Sequence, residues 1–149
     1  MNIDAIQGHS FPPRELRPEE RLSVANYARA VGSQNLAYLS TDAARAAGYD
    51  SRPLPRAMLT FFNTLDERDL TEVMGIVYGR TLFAGTDSEW GVVATEHDTL
   101  VGQTHVDEAY ERTGKDGAPR QFLVLRTEFH TKEGELVSRQ RITFIEKVA

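Results

Sequence analysis

The sequence predicts an α+β fold in which a strongly curved antiparallel sheet wraps around one buried, apolar helix. Helices are predicted within residues 18–32, 43–47 and 57–65, whereas every predicted strand lies within residues 77–146. Residues 57–65 are apolar on nearly every side, which indicates a buried helix. Such a helix needs a concave surface, and a curved sheet supplies one. From periodicity alone, an ordinary α+β sandwich explains the pattern almost as well.

Two helices are predicted before this buried one. Residues 18–20 (Pro-Glu-Glu) suit a first turn, because proline tolerates that position and acids favour the positive N-terminal end. The apolar stripe of this helix consists of Val24, Tyr27, Ala28 and Val31. Gly32 is expected to end it. A second, short helix is predicted over residues 43–47, with its cap among residues 40–42 (Ser-Thr-Asp).

The second half of the chain predicts an antiparallel meander. Residues 66–71 are polar and predict a loop after the central helix. The predicted strands are 77–83, a short uncertain one at 92–94, 99–111, 120–130 and 136–146. Gly134 lies in a tight hairpin turn, where it can take a positive φ. In the longest strand, four side chains are expected to share one face: Val101, Gln103, His105 and Asp107.

Composition excludes several classes of function. The 149 residues fit one domain, 1–149, and a net charge of −5 without a Lys/Arg cluster argues against nucleic-acid binding. No apolar run approaches the roughly 20 residues of a membrane span, and the N-terminus does not read as a signal peptide. The absence of cysteine fits a reducing cytoplasm. No spacing suggests a metal site or a bound nucleotide, so no cofactor is expected.

Residues 27–38, Tyr-Ala-Arg-Ala-Val-Gly-Ser-Gln-Asn-Leu-Ala-Tyr, are the most specific segment. They resemble the active-site segment of MaoC-like hydratases and dehydratases, which reads roughly Tyr-x-x-x-x-Gly-Asp-x-Asn-Pro-hydrophobic-His. The framework Tyr, Gly and Asn are present, the last as Asn35. Leu36 stands at the proline position. The positions of the family's catalytic Asp and His hold Ser33 and Tyr38.

Weaker similarity to the same family covers nearly the whole chain, at residues 11–13, 42–49, 52–55, 96–100, 110–115 and 127–136. The resemblance implies the hotdog fold, a curved antiparallel sheet around a central apolar helix. It also implies an acyl thioester of CoA or acyl carrier protein as the ligand. Pairing is expected as a homodimer or as a heterodimer with a catalytic hotdog subunit.

The resemblance makes Ser33, Asn35 and Tyr38 the candidate catalytic residues. Hydration of an enoyl thioester needs a base, an acid and an N–H for the enolate oxygen. Serine has no pKa near neutrality and an unperturbed tyrosine has a pKa of about 10, so both are poor replacements for Asp and His. Asn35 either fixes the loop or holds the thioester or pantetheine. Structural or solvent-facing positions are expected for Asp42, His97 and His105.

In the family, an acyl chain runs beside the central helix. The resemblance therefore implies that this segment supplies substrate-binding residues, namely Pro55, Arg56, Met58, Leu59, Phe61 and Phe62. The alternative for each apolar side chain among them is a position in the core of the protein.

Three functions remain open at this stage. The first is a diverged dehydratase, isomerase or cyclase acting on an acyl thioester, in polyketide or fatty-acid-like metabolism. The second is a non-catalytic subunit that holds the acyl chain for a catalytic hotdog partner. The third is an interaction module of unrelated fold.

Overall fold

The computed structural model describes residues 1–148, so the predicted domain end at residue 149 lies outside the described residues. Five antiparallel strands form one curved sheet in the order β1–β3–β4–β5–β2. Their bounds are Arg14–Leu16 for β1, Thr81–Trp90 for β2, Leu100–Thr113 for β3, Pro119–Thr131 for β4 and Leu136–Lys147 for β5. The predicted combination of early helices and a late meander is therefore confirmed.

The helices are short. The α-helices are α1 (Ile3–Ile6), α2 (Val24–Ala30), α3 (Leu36–Leu39) and α4 (Thr41–Ala46). Two 3-10 helices span Pro18–Glu20 and Arg56–Phe61, and a π-helical turn spans Asp69–Val73. Within residues 1–148, no helix has the length and apolar character that a membrane crossing requires.

The first predicted helix is divided in two, because the chain is extended at Ser23. Pro18–Glu20 form a separate 3-10 turn. The Ser23 hydroxyl then accepts a hydrogen bond from the backbone N–H of Asn26 at 3.3 Å, so α2 begins after Ser23. The predicted end is correct, since Gly32 takes a φ of 69°. The short helix α4 is confirmed with Ser40 as its cap.

The central apolar helix is shorter and tighter than the sequence predicts. Arg56–Phe61 close turns of three residues, as in the 2.9 Å hydrogen bond from the Met58 N–H to the Pro55 carbonyl. Only one side of this 3-10 helix faces the protein, so Met58 and Leu59 are buried while 67% of Phe61 is exposed. A single layer of sheet cannot cover a helix that is apolar all round.

The predicted loop at 66–71 contains the start of the π-helical turn. Two aspartates hold it, because the Asp66 N–H donates to the Asp69 carboxylate at 3.0 Å and the Asp69 N–H donates to Asp66 at 2.9 Å. The hydrogen bond from the Asp69 backbone, with that from Arg14, lowers the pKa of Asp66. Side-chain capping thus gives regular geometry to a segment whose composition suggests none.

Strands β3, β4 and β5 begin and end within two residues of their predicted bounds. Gly134 in the last hairpin has a φ of 90°. Strand β2 instead begins at Thr81, because a turn with the Arg80 N–H bonded to the Val77 carbonyl precedes it. Residues 92–94 are not a strand, although Val92 donates a hydrogen bond to Leu136.

The sheet has one core face, which we call the concave face. In β3 the side chains of Leu100, Thr104 and Val106 are buried on it, and the four residues predicted to share the opposite face are half-buried. Gly102 lies on the concave face with no room for a side chain. A methyl group there would approach the Thr64 methyl to 2.5 Å and the Phe129 ring to 2.6 Å.

The opposite, convex face carries a ladder of ion pairs across four strands. Arg126 on β4 binds Asp107 on β3 at 2.9 Å and Glu128 at 2.5 Å. Arg139 on β5 binds Glu128 at 2.6 Å and Glu89 on β2 at 2.6 Å. Burial raises the pKa of Glu128, but the hydrogen bonds from Arg139 and Arg126 outweigh it and hold that pKa below its ordinary value.

We expect Gly102→Ala to lower the free energy of unfolding by about 1–3 kcal/mol, because the new methyl displaces Thr64 and the Phe129 ring. Urea denaturation measures the loss. The matched control is Gly85→Ala, where a methyl meets no atom of residues 1–148 within 4 Å. Equal stability of the two variants would show that the close approach at Gly102 does not constrain the core.

Acid should destabilise the protein partly through Glu128. Because its pKa is lowered in the folded state, its stabilising contribution is present above the unfolded pKa and disappears as the pH falls through the folded value. We therefore expect Glu128→Gln to lose less stability than the wild type between about pH 6 and about pH 3. Urea denaturation across this range tests it, with Glu133→Gln in the exposed β4–β5 turn as control. Parallel curves for wild type and Glu128→Gln would contradict the expectation.

Candidate functional site

The candidate catalytic residues lie on a loop, here called the site loop (residues 32–40), which begins where α2 ends. Gly32 in its left-handed conformation lets the Ser33 N–H reach back to the Ala28 carbonyl at 2.8 Å. This closure directs the chain away from α2 and into α3. Gly32, the glycine that matches the sequence motif, is therefore the residue that makes this turn possible.

Two of the three candidate catalytic side chains hold the loop itself. The Ser33 hydroxyl accepts a hydrogen bond from the Asn35 N–H at 3.4 Å. The exposed Asn35 caps α3, since its side-chain oxygen accepts from the Ala37 N–H at 3.0 Å. Of the two roles expected for Asn35, the contacts made in the structure are those of a residue that fixes the loop.

Tyr38 is the one candidate of this group that packs against the core. It lies half-buried in α3 and contacts a cluster that includes Met58, Leu59 and Phe62. The structure thus packs Tyr38 against the core cluster to which the central 3-10 helix contributes, whereas Ser33 and Asn35 engage the backbone of their own loop. Residues 32–40 contain no Asp, Glu or His, so they lack a side chain that acts as a base near neutral pH.

The remaining titratable candidates lie outside the site loop. Asp42 lies in the first turn of α4, behind the cap Ser40. His97 is exposed, and its Nδ1 lies 2.6 Å from a carboxylate oxygen of Glu19. His105 on the convex face has its Nδ1 2.8 Å from the Ser10 hydroxyl. Both histidines thus contact residues outside the site loop.

The predicted substrate-binding residues separate into four environments. Pro55 and Met58 are buried, and the Pro55 carbonyl accepts a hydrogen bond from the Met58 N–H at the start of the 3-10 helix. The exposed Arg56 and the buried Leu59 line a cavity of about 20 Å³ beside Trp90, which is too small for an acyl chain. The ring of Phe61 is exposed and packs edge-on against Tyr27, 6.0 Å between centroids. Phe62 alone reaches a larger space.

That larger space is a groove of about 260 Å³ between the concave face and the segment following the central 3-10 helix; we call it the concave groove. Its walls are mostly apolar and are formed by Phe62, Leu65, Leu70, Leu125, Ile142 and Phe144. Thr127 and Gln140 supply polar atoms from β4 and β5. An apolar cleft with few polar groups is the usual form of a site for a small, mostly apolar ligand.

Sequence reasoning missed the part of the groove that comes from the sheet. In β5 the side chains of Ser138, Gln140, Ile142 and Phe144 alternate onto the concave face. A usable signal is present, because serine and glutamine stand at inward positions of a strand that continues inward with the apolar Ile142 and Phe144. Two buried polar side chains in such a row indicate either a hydrogen-bond network or a ligand.

Comparison with known proteins places these features in a family. Residues 5–140 match the family model described as FAS1-like, dehydratase domain region. A UPF0336 protein from Saccharopolyspora erythraea is 25% identical over 140 residues, which cover 93% of this chain and 86% of that protein.

Solved structures show the same architecture. The C-terminally truncated HadBC complex of Mycobacterium tuberculosis, a (3R)-hydroxyacyl-ACP dehydratase, matches with a TM-score of 0.74 and 22% identity, over 94% of this chain and 96% of that chain. A MaoC-like dehydratase matches with a TM-score of 0.76 and 21% identity, over 99% of this chain and 44% of that one. Because the family model spans most of the sequence, the protein belongs to the family of FAS1-like dehydratase domain regions and has the hotdog fold of the MaoC-like dehydratases.

Proposed function

We propose that this protein binds a (hydroxy)acyl thioester of CoA or an acyl carrier protein and holds its chain for a dehydratase or hydratase reaction. In this role it is the non-catalytic subunit of a pair, and a second hotdog subunit provides the Asp and His. The family and the fold support an acyl-thioester ligand. Polyketide or fatty-acid-like metabolism in the cytoplasm is the proposed setting.

One observation carries the choice of binding over catalysis. At the positions where the family has its proton-transferring pair, Ser33 accepts a backbone hydrogen bond and Tyr38 packs against the core. Asn35 is engaged as a helix cap. Water activation requires a base within hydrogen-bond reach of the water, and residues 32–40 provide none.

The ligand contacts proposed here follow from the same geometry. Phe62 leads into the concave groove, whose volume and apolar walls suit an alkyl chain. Arg56 is exposed at the start of the central 3-10 helix, where its charge is available to a phosphate of CoA or of a carrier protein. Pro55, Met58 and Leu59 support the helix that separates these two contacts.

The sheet itself supports the proposal of a hotdog partner. Among residues 1–148, strand β2 pairs only with β5, so it is an edge strand of the sheet. It exposes 68% of Leu82 and 61% of Phe83. An exposed apolar strand edge favours pairing with another chain. The related HadBC protein is a complex of two different subunits.

Titration with a thioester tests binding directly. Trp90 is the single tryptophan and lies in the cavity with Arg56 and Leu59, so its fluorescence should respond to a saturated dodecanoyl-CoA. We expect saturable binding, weakened about tenfold by Arg56→Gln through loss of the phosphate contact. Arg29→Gln on α2 is the control and should leave the affinity unchanged. Absence of saturable binding would overturn the proposed function.

The alternative, that the protein is itself an enzyme, is tested by hydration of trans-2-enoyl-CoA thioesters, which is monitored as a loss of absorbance. The protein alone is expected to show no turnover above background. Turnover that Tyr38→Phe or Asn35→Ala abolishes would instead identify a diverged enzyme with a rebuilt site. Tyr38→Phe keeps the ring that packs against the core, so its effect reports on the hydroxyl.

We expect the isolated chain to self-associate through the exposed edge of β2 when no partner is present. Leu82→Lys should weaken this association about tenfold, since a charged side chain on the edge disfavours pairing. Sedimentation equilibrium measures it. Val31→Lys is the matched control, because Val31 is similarly exposed, at 59%, but lies at the end of α2. Equal weakening by both variants would argue against β2 as the pairing edge.

A further inference from the structure

One complete rung of the sheet is polar on the concave face. Thr104 on β3 is the register partner of Thr127 on β4, Thr127 that of Gln140 on β5, and Gln140 that of Ser88 on β2. Thr104 and Gln140 are 1% and 3% exposed. The next rung toward Phe144 holds Val106, Leu125 and Ile142, so the polar groups interrupt an apolar surface. Buried polar groups in such a position nearly always have hydrogen-bond partners.

The threonines of this rung do have partners. The hydroxyls of Thr64, Thr104 and Thr127 form a chain, with oxygen–oxygen distances of 2.6 Å and 2.7 Å. The chain stops at Thr127. The side-chain nitrogen of Gln140, the next residue of the rung, finds no hydrogen-bond partner among residues 1–148 although it is buried.

Gln140, whose side-chain nitrogen has no partner in the part of the chain that the structure describes, lies beside the concave groove. Both Gln140 and Thr127 line the concave groove, between the apolar walls formed by Phe62, Leu125 and Ile142. The nitrogen is enclosed in this conformation, so the Gln140 side chain must turn into the groove before an oxygen atom of a ligand there can supply the missing acceptor. An alkyl chain would leave the amide buried and without a partner, which disfavours its binding relative to a chain with an oxygen at this point.

We propose that the concave groove selects an acyl chain with an internal oxygen, a ketone or a hydroxyl, and that the Gln140 amide donates a hydrogen bond to that oxygen. This inference rests on the proposed acyl-thioester function and adds the chemistry of the chain. Thr127 provides the second polar contact. The apolar walls then contact the methylene groups on either side of the oxygen.

Matched ligands test the proposal by calorimetry. The probes are the dodecanoyl thioester of N-acetylcysteamine and a series of the same thioester with one methylene replaced by a ketone at successive positions. For the wild type, we expect one ketone isomer to bind about tenfold tighter than the saturated chain, the gain of one desolvated hydrogen bond. Gln140→Met should abolish this preference and retain binding of the saturated chain.

Two controls keep the result interpretable. Gln103→Met removes an amide from the opposite face of the sheet and should leave the ketone preference intact. Gln140→Met replaces an unpartnered buried amide with an apolar side chain of similar length, so its urea midpoint should be unchanged or higher.

The outcomes separate this inference from the proposed function. Equal affinity of the wild type for saturated and ketone-bearing chains would overturn the role of Gln140 but leave acyl binding in place. Persistence of the preference in Gln140→Met would overturn it as well. Failure of every thioester to bind would overturn both proposals.

Discussion

The lack of a side chain at Gly102 determines how closely the segment after the central 3-10 helix approaches the sheet. Thr64 and Phe129 occupy the space that a methyl group at Gly102 would need. The approach brings the Thr64 hydroxyl to 2.6 Å from Thr104 and starts the hydroxyl chain across the concave face. The same segment continues to Leu65 and forms one wall of the concave groove. The groove and its polar rung therefore depend on one glycine in β3.

Periodicity predicts the sheet well, because strands β3, β4 and β5 are long and residues 100–107 of β3 alternate between buried and half-buried side chains. It fails where side chains override local preference. Ser23 caps a new helix inside a continuous apolar stripe, and paired aspartates, Asp66 and Asp69, organise a polar segment into a π-helical turn. The length of the central helix is overestimated, since apolar composition does not show how much of a helix the sheet can cover.

The site is predicted only in outline. The motif predicts that Ser33, Asn35 and Tyr38 belong to one segment, but a motif does not show that Ser33 and Asn35 bond to the backbone of their own loop. The sequence does not predict the groove residues of the sheet, because Gln140 is separated from the central helix by about half of the chain and its burial depends on the register between β4 and β5. Pairing register is a tertiary property, and local patterns of polarity carry little information about it.

The hydroxyl chain has a direction, because each hydroxyl carries one proton and two lone pairs. Either oxygen of each pair can be the donor, so the three protons can point toward Thr64 or toward Thr127. Reversing all three rotations changes Thr127 from a hydrogen-bond acceptor at the groove into a donor without moving a heavy atom. The end of the chain thus adapts to the polarity of whatever lies against it, and a carbonyl and the alcohol formed by its reduction can occupy the same place.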